Sequence, residues 1–561
     1  MSPTGKHECA SYLMVRESYN RPKDWPLYLA SCHGETTWKI DGKHYCLMHA
    51  PTKDKAKEFE KARQDKLAAK DYNFRSAWFP EDADFNEYNF KNEANFDLAV
   101  FNGKADFRNA QFSGGNASFK GAQFRGIDAN FVEAQFSGGD ADFRRVQFSG
   151  GEAYFDGAKF SGGHADFIEA EFSGGEANFY DAQFSGGNAG FLWVQFSGGD
   201  AHFNGTQFGG LAYFHGAQFS GGKADFNRAE FIGGDAVFSE AQFIGGDADF
   251  SKAQFSKTVH FEKTVFAGSL KFKNAAFENR VFFDDTEFKE DAFAIFTLAR
   301  FMDFTRFMDL KIEDGAEFYF GEAIFEQPER VYFSSIPCLK AHWFLNSDIR
   351  KFNFENVVFP SLGKTHTLRK ELAETQNFLD LLAKHTEGNS NKKISRSGLL
   401  LVYSRLAVNA EDNSRHQEAS SFRYMAKECE RTARWNPADL NWWHWISSGY
   451  GEKWERAAMI LLLIWIIPIF FYTSPFAIFT RVELRRNDAP VAAEPPTIVK
   501  TLSLSFTEAA FYSLNVMTFQ KPEPKPSQDS TLTSLIVLLQ TILGPLQAAR
   551  VTYAIAKKYR Y

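Results

Sequence analysis

The sequence predicts a mainly β chain: a long solenoid of short strands, then an α-helical connector, then two helices apolar enough to cross a membrane. Three observations carry this prediction. Phenylalanine recurs at alternating intervals of five and seven, as at Phe107, Phe112, Phe119, Phe124, Phe131 and Phe136, within a rhythm that runs from Phe74 to Phe359. From Leu368 the apolar period becomes helical. Two apolar runs, Ala457 to Ser474 and Leu532 to Ala549, stand near the C-terminus.

Neither the helix period of about 3.6 nor the strand period of about 2 divides the phenylalanine spacing, so no single helix or flat strand keeps these rings on one face. A fixed repeat of this size signals a solenoid, in which each coil buries its apolar side against its neighbours. The unit reads A-x-F-x-x-A-x-F-S-G-G-x, as from Ala129 to Asp140. A small residue two places before each ring (Ala105, Ala117, Ala129, Ala141, Ala153) points the same way as the ring. Asp106, Ser118, Asn130 and Asp142 point to solvent.

The A-[DN]-F-x-x pattern, as in Ala105-Asp106-Phe107, Ala129-Asn130-Phe131 and Ala165-Asp166-Phe167, resembles the pentapeptide-repeat family. That resemblance implies a right-handed quadrilateral β-helix, with four five-residue faces per coil and Phe or Leu stacked along the axis. Two extra residues on every second face, mostly from Ser-Gly-Gly (Ser137-Gly138-Gly139, Ser173-Gly174-Gly175, Ser220-Gly221-Gly222), read as bulged corners, because glycine tolerates positive φ. Four phenylalanines then span 22 to 24 residues. The 286 residues from Phe74 to Phe359 make about a dozen coils, a rod about 60 Å long at about 4.8 Å per stacked strand. The alternative, a flattened helix with one 12-residue unit per coil, would have to fit two rings on a narrow axis.

The phenylalanines and alanines read as core, and the rod offers no catalytic constellation. His164, His202 and His215 fall on different repeat positions and align with no acid or nucleophile, so they read as surface histidines. Between Phe107 and Phe255 stand 18 acidic and 9 basic side chains, a balance opposite to that of a nucleic-acid surface. It keeps a phenylalanine-rich rod soluble and leaves room for a protein partner. Some pentapeptide-repeat proteins act as DNA mimics against topoisomerases, and the resemblance extends to that role. No phosphate-cradling glycine loop, nucleophile elbow or paired-acid site appears, so no enzyme is expected.

The chain has 561 residues, enough for several domains, and a net charge of −7. Five scattered cysteines (Cys9, Cys32, Cys46, Cys338, Cys429) fit a reducing compartment, and the first residues lack an apolar run of signal length. Cys9, Cys32, Cys46 and His49 lie within forty-one residues, with an x2 spacing between the last two. Thiolate and imidazole suit a closed tetrahedral structural zinc site in segment 1–51, and buried thiols are the competing reading. His33 is a substitute ligand for His49. Tyr45 to Pro51 resembles an opening found ahead of some bacterial pentapeptide-repeat arrays. A leading helix over 52–73 runs into the solenoid, 74–360.

A helical connector follows over 361–452, with Leu372, Phe378, Leu379, Leu381 and Leu382 as its first apolar stripe. The run Ala457 to Ser474 holds eighteen residues without a charge, at the lower end of what crosses a core of about 30 Å. Trp442, Trp443, Trp445 and Trp454 precede it as an interfacial belt. Lys453 and Arg456 at its start, with Arg550, Lys557, Lys558 and Arg560 after the second run, place both termini in the cytosol; Arg481, Arg485 and Arg486 pull the other way. Between the runs, residues 502–519 are apolar but carry Thr507 and Glu508, which suits a re-entrant or interfacial helix.

This layout over 453–561, with Ser448 to Glu452, Phe511 to Leu514 and Leu543 to Leu546, resembles the potassium-channel-like tail of bacterial pentapeptide-repeat proteins. The resemblance implies a bacterial inner-membrane protein and a homo-oligomeric pore module lined near Thr518, Gln520, Lys521 and Gly544. Potassium selectivity uses stacked carbonyls from a T-x-G-Y-G stretch, and after Thr518 this chain has Phe519, Gln520, Lys521 and Pro522 instead. Two functions follow: a membrane-anchored rod that docks or senses a partner above a pore, or a non-conducting tethered scaffold.

Overall fold

The computed structural model describes residues 38–360, 368–386, 396–431, 440–483, 497–501 and 503–558. They form two compact units, one of residues up to Gly363 with Glu374–Lys393, the other of Lys364–Ala373 with Ile394–Tyr561.

The first unit is a solenoid of four parallel sheets with 12, 11, 11 and 11 strands. Inside the solenoid each strand pairs with the fourth before it and the fourth after it; at the end, Asn353–Glu355 pairs with the strand just before it, Val331–Ser334. Phe124 stands over Phe101 and under Phe148, so successive coils take 23 and 24 residues; the first, from Trp78 to Val100, takes 22. Four faces per coil rule out the flattened alternative. The rings form columns: Phe90, Phe112 and Phe136 stack at 4.6 Å with planes 2° apart. Neighbouring columns meet edge to face, as Phe107 and Phe119 do at 5.4 Å and 88°, an arrangement the ring quadrupole favours. Alanine or valine fills the space between, and where threonine replaces it the hydroxyl is satisfied: Thr206 Oγ1 donates to the Phe179 carbonyl at 2.7 Å.

The corners correct one expectation. Positive φ belongs mainly to the other corners, at the second residue after a ring, including Asn109, Glu133, Arg145, Glu169, Asp181 and Trp193. The strain there is offset by a hydrogen bond to the next coil, as from Glu133 N to Asp156 O at 2.8 Å. Among the Ser-Gly-Gly corners only Gly115 has positive φ. Their glycines are needed for closeness instead. A Cβ on Gly162 would lie 2.6 Å from Gly139 N, and one on Gly174 would lie 2.7 Å from Gly151 O.

Helix α1, Ala56–Ala68, closes the first coil. Phe59 meets Phe79 edge to face at 5.1 Å, and the Arg63 guanidinium lies over Phe85 at 5.0 Å while its Nη1 donates to Asp84 O. Near the other end, two outward positions turn apolar, Phe293 and Ile295, both buried. Helix α2, Leu368–Thr386, accounts for the first: Phe378 stacks on Phe293 at 5.7 Å and meets His342 at 4.7 Å with the rings tilted by 39°. His385 meets Phe293 at 5.0 Å, and its Nδ1 lies 2.9 Å from Ser269 Oγ.

The second unit begins with a helix pair, α3 (Arg396–Asp412) and α4 (His416–Glu430), packed through Tyr403, Leu406, Phe422 and Met425. Then follow α5 (Leu440–Ser448), α6 (Trp454–Tyr472), α7 (Phe506–Met517) and α8 (Thr531–Lys558). Strands Phe479–Glu483, Thr497–Thr501 and Lys525–Pro526 make a small antiparallel sheet.

Candidate functional site

Helices α6 and α8 are long and apolar enough to cross a membrane, and only 11% and 22% of their most apolar windows are buried within the chain. A core helix would show the reverse. Their outward faces carry Leu462, Ile467, Phe470, Leu538, Ile542 and Leu546, each at least half exposed. These two candidate spans point to membrane association.

Helix α7 runs between them and back. Before it, Thr501 pairs with Phe479; after it, Pro526 pairs with the same Phe479. The chain therefore leaves the sheet on one side of strand Phe479–Glu483, passes through α7 and rejoins it on the other side of that strand. The helix starts with a capping box, Ser505 accepting from Glu508 N while Glu508 accepts from Ser505 N. It ends against Gly544, where a Cβ would lie 2.9 Å from Met517 Cγ. Gly544 is thirteen residues into α8, about 20 Å along it at 1.5 Å per residue. Thr518 and Phe519 close α7 in a turn, with Phe519 at positive φ and Gln520 N donating to Asn515 O at 2.9 Å, and the chain then runs on to Lys525. Thr518, Phe519, Gln520 and Lys521 are exposed on it, whereas Gly544 is buried under α7.

Polar side chains lock the three helices. Gln540 accepts from the Tyr472 hydroxyl at 2.8 Å and donates to Ile464 O at 3.1 Å and to Ser513. Ser513 Oγ donates to Trp465 O at 2.8 Å. Seven residues on, Gln547 donates to Ser447 O and Ala457 O at 2.7 and 3.0 Å. Thr533, Gln540, Gln547 and Ala554 are all buried, a stripe at intervals of seven that the sequence reading missed. Beneath α6, Gly449, Tyr450 and Gly451 all have positive φ. They present the buried Glu452 carboxylate to Ser420, Arg423 and Lys557, which fastens α4 to the end of α8.

At the other end of the chain, a two-strand hairpin (Trp38–Ile40, Lys43–Tyr45) turns at Asp41-Gly42, both at positive φ. It leads into Cys46 and His49, both buried, with Sγ and Nδ1 3.0 Å apart. Cys9, Cys32 and the alternative ligand His33 lie outside the described residues, as do Arg485 and Arg486.

A family model described as Pentapeptide repeats (9 copies) matches residues 85–128 and 203–254. These coils are pentapeptide repeats. No curated protein and no solved structure matches the chain.

The pentapeptide-repeat solenoid also corrects the reading of its histidines. His202 does align with acids: Glu176 and Asp200 bring ligand atoms within 4.8 Å of its ring, and its Nε2 lies 3.6 Å from Glu176. Tyr180 stacks on the ring at 4.9 Å. Nearby Asp156, whose carboxyl burial pushes up, feels the same imidazole. The signal was available, since Asp200 follows Glu176 by one coil of 24 residues. Glu176 is exposed, and such acidic rows keep the rod soluble with no ion bound.

Proposed function

We propose that this chain is a membrane-anchored pentapeptide-repeat scaffold whose α6–α8 module assembles with further copies around an aqueous path. The rod and both termini lie in the bacterial cytosol, where the acidic rod docks a protein partner of complementary charge. The observation that carries this reading is the return of the chain, after α7, to the same small sheet it left. With α6 and α8 spanning, α7 ends deep in the bilayer and Thr518 to Lys521 turn back there as irregular backbone.

Non-helical backbone at that depth is tolerated only against protein or water, and here those residues are exposed within one copy. Further copies around a shared axis satisfy it. Thr518, Gln520 and Lys521 then line the path, while Gly544 supports α7 from behind instead of lining it. Lys453 and Arg456 at one end of α6, and Arg550 and Lys557 at the end of α8, fit a cytosolic side. The stoichiometry of four comes from resemblance to potassium channels alone.

A non-conducting anchor is the second reading, favoured by Phe519, 68% exposed, and by the lack of any glycine where a filter would stand. Two measurements on the detergent-purified chain separate them. Particle mass should correspond to several copies, and liposomes holding the protein should pass small ions. A monomer overturns the pore, and an oligomer without flux leaves the anchor.

A further inference from the structure

We infer that the solenoid face around Trp193 docks a protein segment whose apolar centre lies between two basic residues four positions apart. This deepens the docking role proposed for the rod and rests on it; the membrane path does not enter.

The polar run of outward residues breaks on this face. In register along one sheet stand Ser118, Asp142 and Asp166, and then Gly190, Tyr213 and Val237. Beside them Leu192 and Leu211 are half-buried, and Trp193 is 48% exposed. Trp193 occupies a corner at positive φ, where other coils of the same column carry Arg145, Glu169 and Glu240. Two glycines flatten the ground around it. Gly216, one coil on, lies under the indole: a Cβ there would be 2.3 Å from Trp193 Cε3. At Gly190 a Cβ would lie 2.7 Å from Asp166 Oδ1 and 3.5 Å from Ile168 Cγ1. A large ring held in a strained conformation, seated on a glycine and left half uncovered, points to a contact surface.

Charge selects the partner. On the four coils that make this face, residues 164–169, 188–193, 211–216 and 235–240, stand four carboxylates and no lysine or arginine. They sit at the two ends, Asp166 and Glu169 before the apolar centre, Asp235 and Glu240 after it. Asp166 makes no ion pair among the described residues, and burial pushes its carboxyl up; a cation laid beside it would favour the charged form. Glu169 meets Arg145 at 2.8 Å and Glu240 meets Lys263 at 3.7 Å, both in exposed pairs, and such pairs exchange at little cost. Three coil steps of about 4.8 Å separate the acidic ends, about 14 Å in all. An extended segment rising about 3.3 Å per residue covers that distance in about four residues. The fitting segment therefore has a cation, three residues with an apolar side chain over Trp193, and a second cation.

The test uses the full chain in neutral detergent and three fluorescent nine-residue peptides with photo-leucine at the centre. Their two flanking positions, four apart, hold Lys, Ser or Glu. The Lys peptide should bind saturably, about tenfold tighter than the Ser peptide, with the Glu peptide weakest. It should cross-link within residues 164–240. Trp193→Ala should weaken it about tenfold or more, and so should Asp166→Asn combined with Asp235→Asn, which keeps both side-chain shapes. Equal binding to Trp193→Ala or to the double variant overturns the site, and so does a Glu peptide that binds as well as the Lys peptide. Cross-linking elsewhere on the rod overturns this face and keeps the docking role; a Lys peptide that ignores the rod overturns both. A particle mass that falls in Trp193→Ala assigns the face to a second copy and likewise overturns the proposal.

Discussion

Single residues in the solenoid are constrained by the coil above as much as by their own strand. The Ser-Gly-Gly corners show this, because the sequence displays the glycines but not the backbone that passes over them. Reading them as positive-φ positions was reasonable from composition and wrong in mechanism; the approach of Gly174 to Gly151 exists only once register is known. The two explanations differ in what alanine does. At Gly174, three backbone atoms of the previous coil, Gly151 O, Gly151 N and Ser149 C, lie 2.7 to 2.8 Å from a built Cβ. Backbone on both sides leaves no flexible side chain to yield. Gly174→Ala should therefore push two coils apart at a cost of about 1–3 kcal/mol, the range for overpacking. Hydrogen exchange of the full chain in detergent should quicken in the coils containing Phe148 and Phe172. Unchanged protection there would mean that the corner has room.

At the scale of elements, what was legible followed from periodicity, and what was not followed from contact between elements. The phenylalanine rhythm disclosed the coil, and two uncharged runs disclosed α6 and α8. Phe293 and Ile295 broke the polar outward pattern, yet nothing in sequence said that Phe378, over eighty residues on, covers Phe293. Gln540 and Gln547 were likewise hidden, because a polar residue in an apolar run reads as an interruption until its spacing of seven is matched to a partner. Gln540 joins all three membrane-module helices through Tyr472, Ile464 and Ser513. Replacing it by leucine keeps the volume and leaves the Tyr472 hydroxyl and Ser513 without their shared partner. Interhelical hydrogen bonds in membranes are worth about 0.6–2 kcal/mol each, so Gln540→Leu should lower the module's stability by about 1–2 kcal/mol. α7 should loosen first, and protease added to the intact detergent particle should cut the segment after Met517 sooner than in the unaltered chain. Leu539→Ala, on the exposed side of the same helix, should leave that cleavage rate alone. Equal rates for all three proteins would show that Gln540 does not hold α7.

For the whole molecule, charge distinguishes the two units and gives the proposed path its most direct test. The solenoid is acidic, whereas the return segment after α7 carries Lys521 close to Gln520 and Thr518. In an assembly each copy contributes one such ammonium to the same narrow region. Charges focused within low-dielectric walls raise the local concentration of counter-ions, so the path should favour anions over potassium. Under a salt gradient across a planar bilayer, the reversal potential of the unaltered protein should lie on the anion side. It should move toward zero in Lys521→Gln and change sign in Lys521→Glu. Screening adds an internal check: the Debye length shrinks from about 10 Å at 0.1 M to about 3 Å at 1 M, so the preference should weaken as salt rises, and weaken least in Lys521→Gln, which has little to lose. Currents whose selectivity ignores residue 521 would place the conducting path elsewhere, and would leave the exposed return segment to be covered by packing between copies instead of by water.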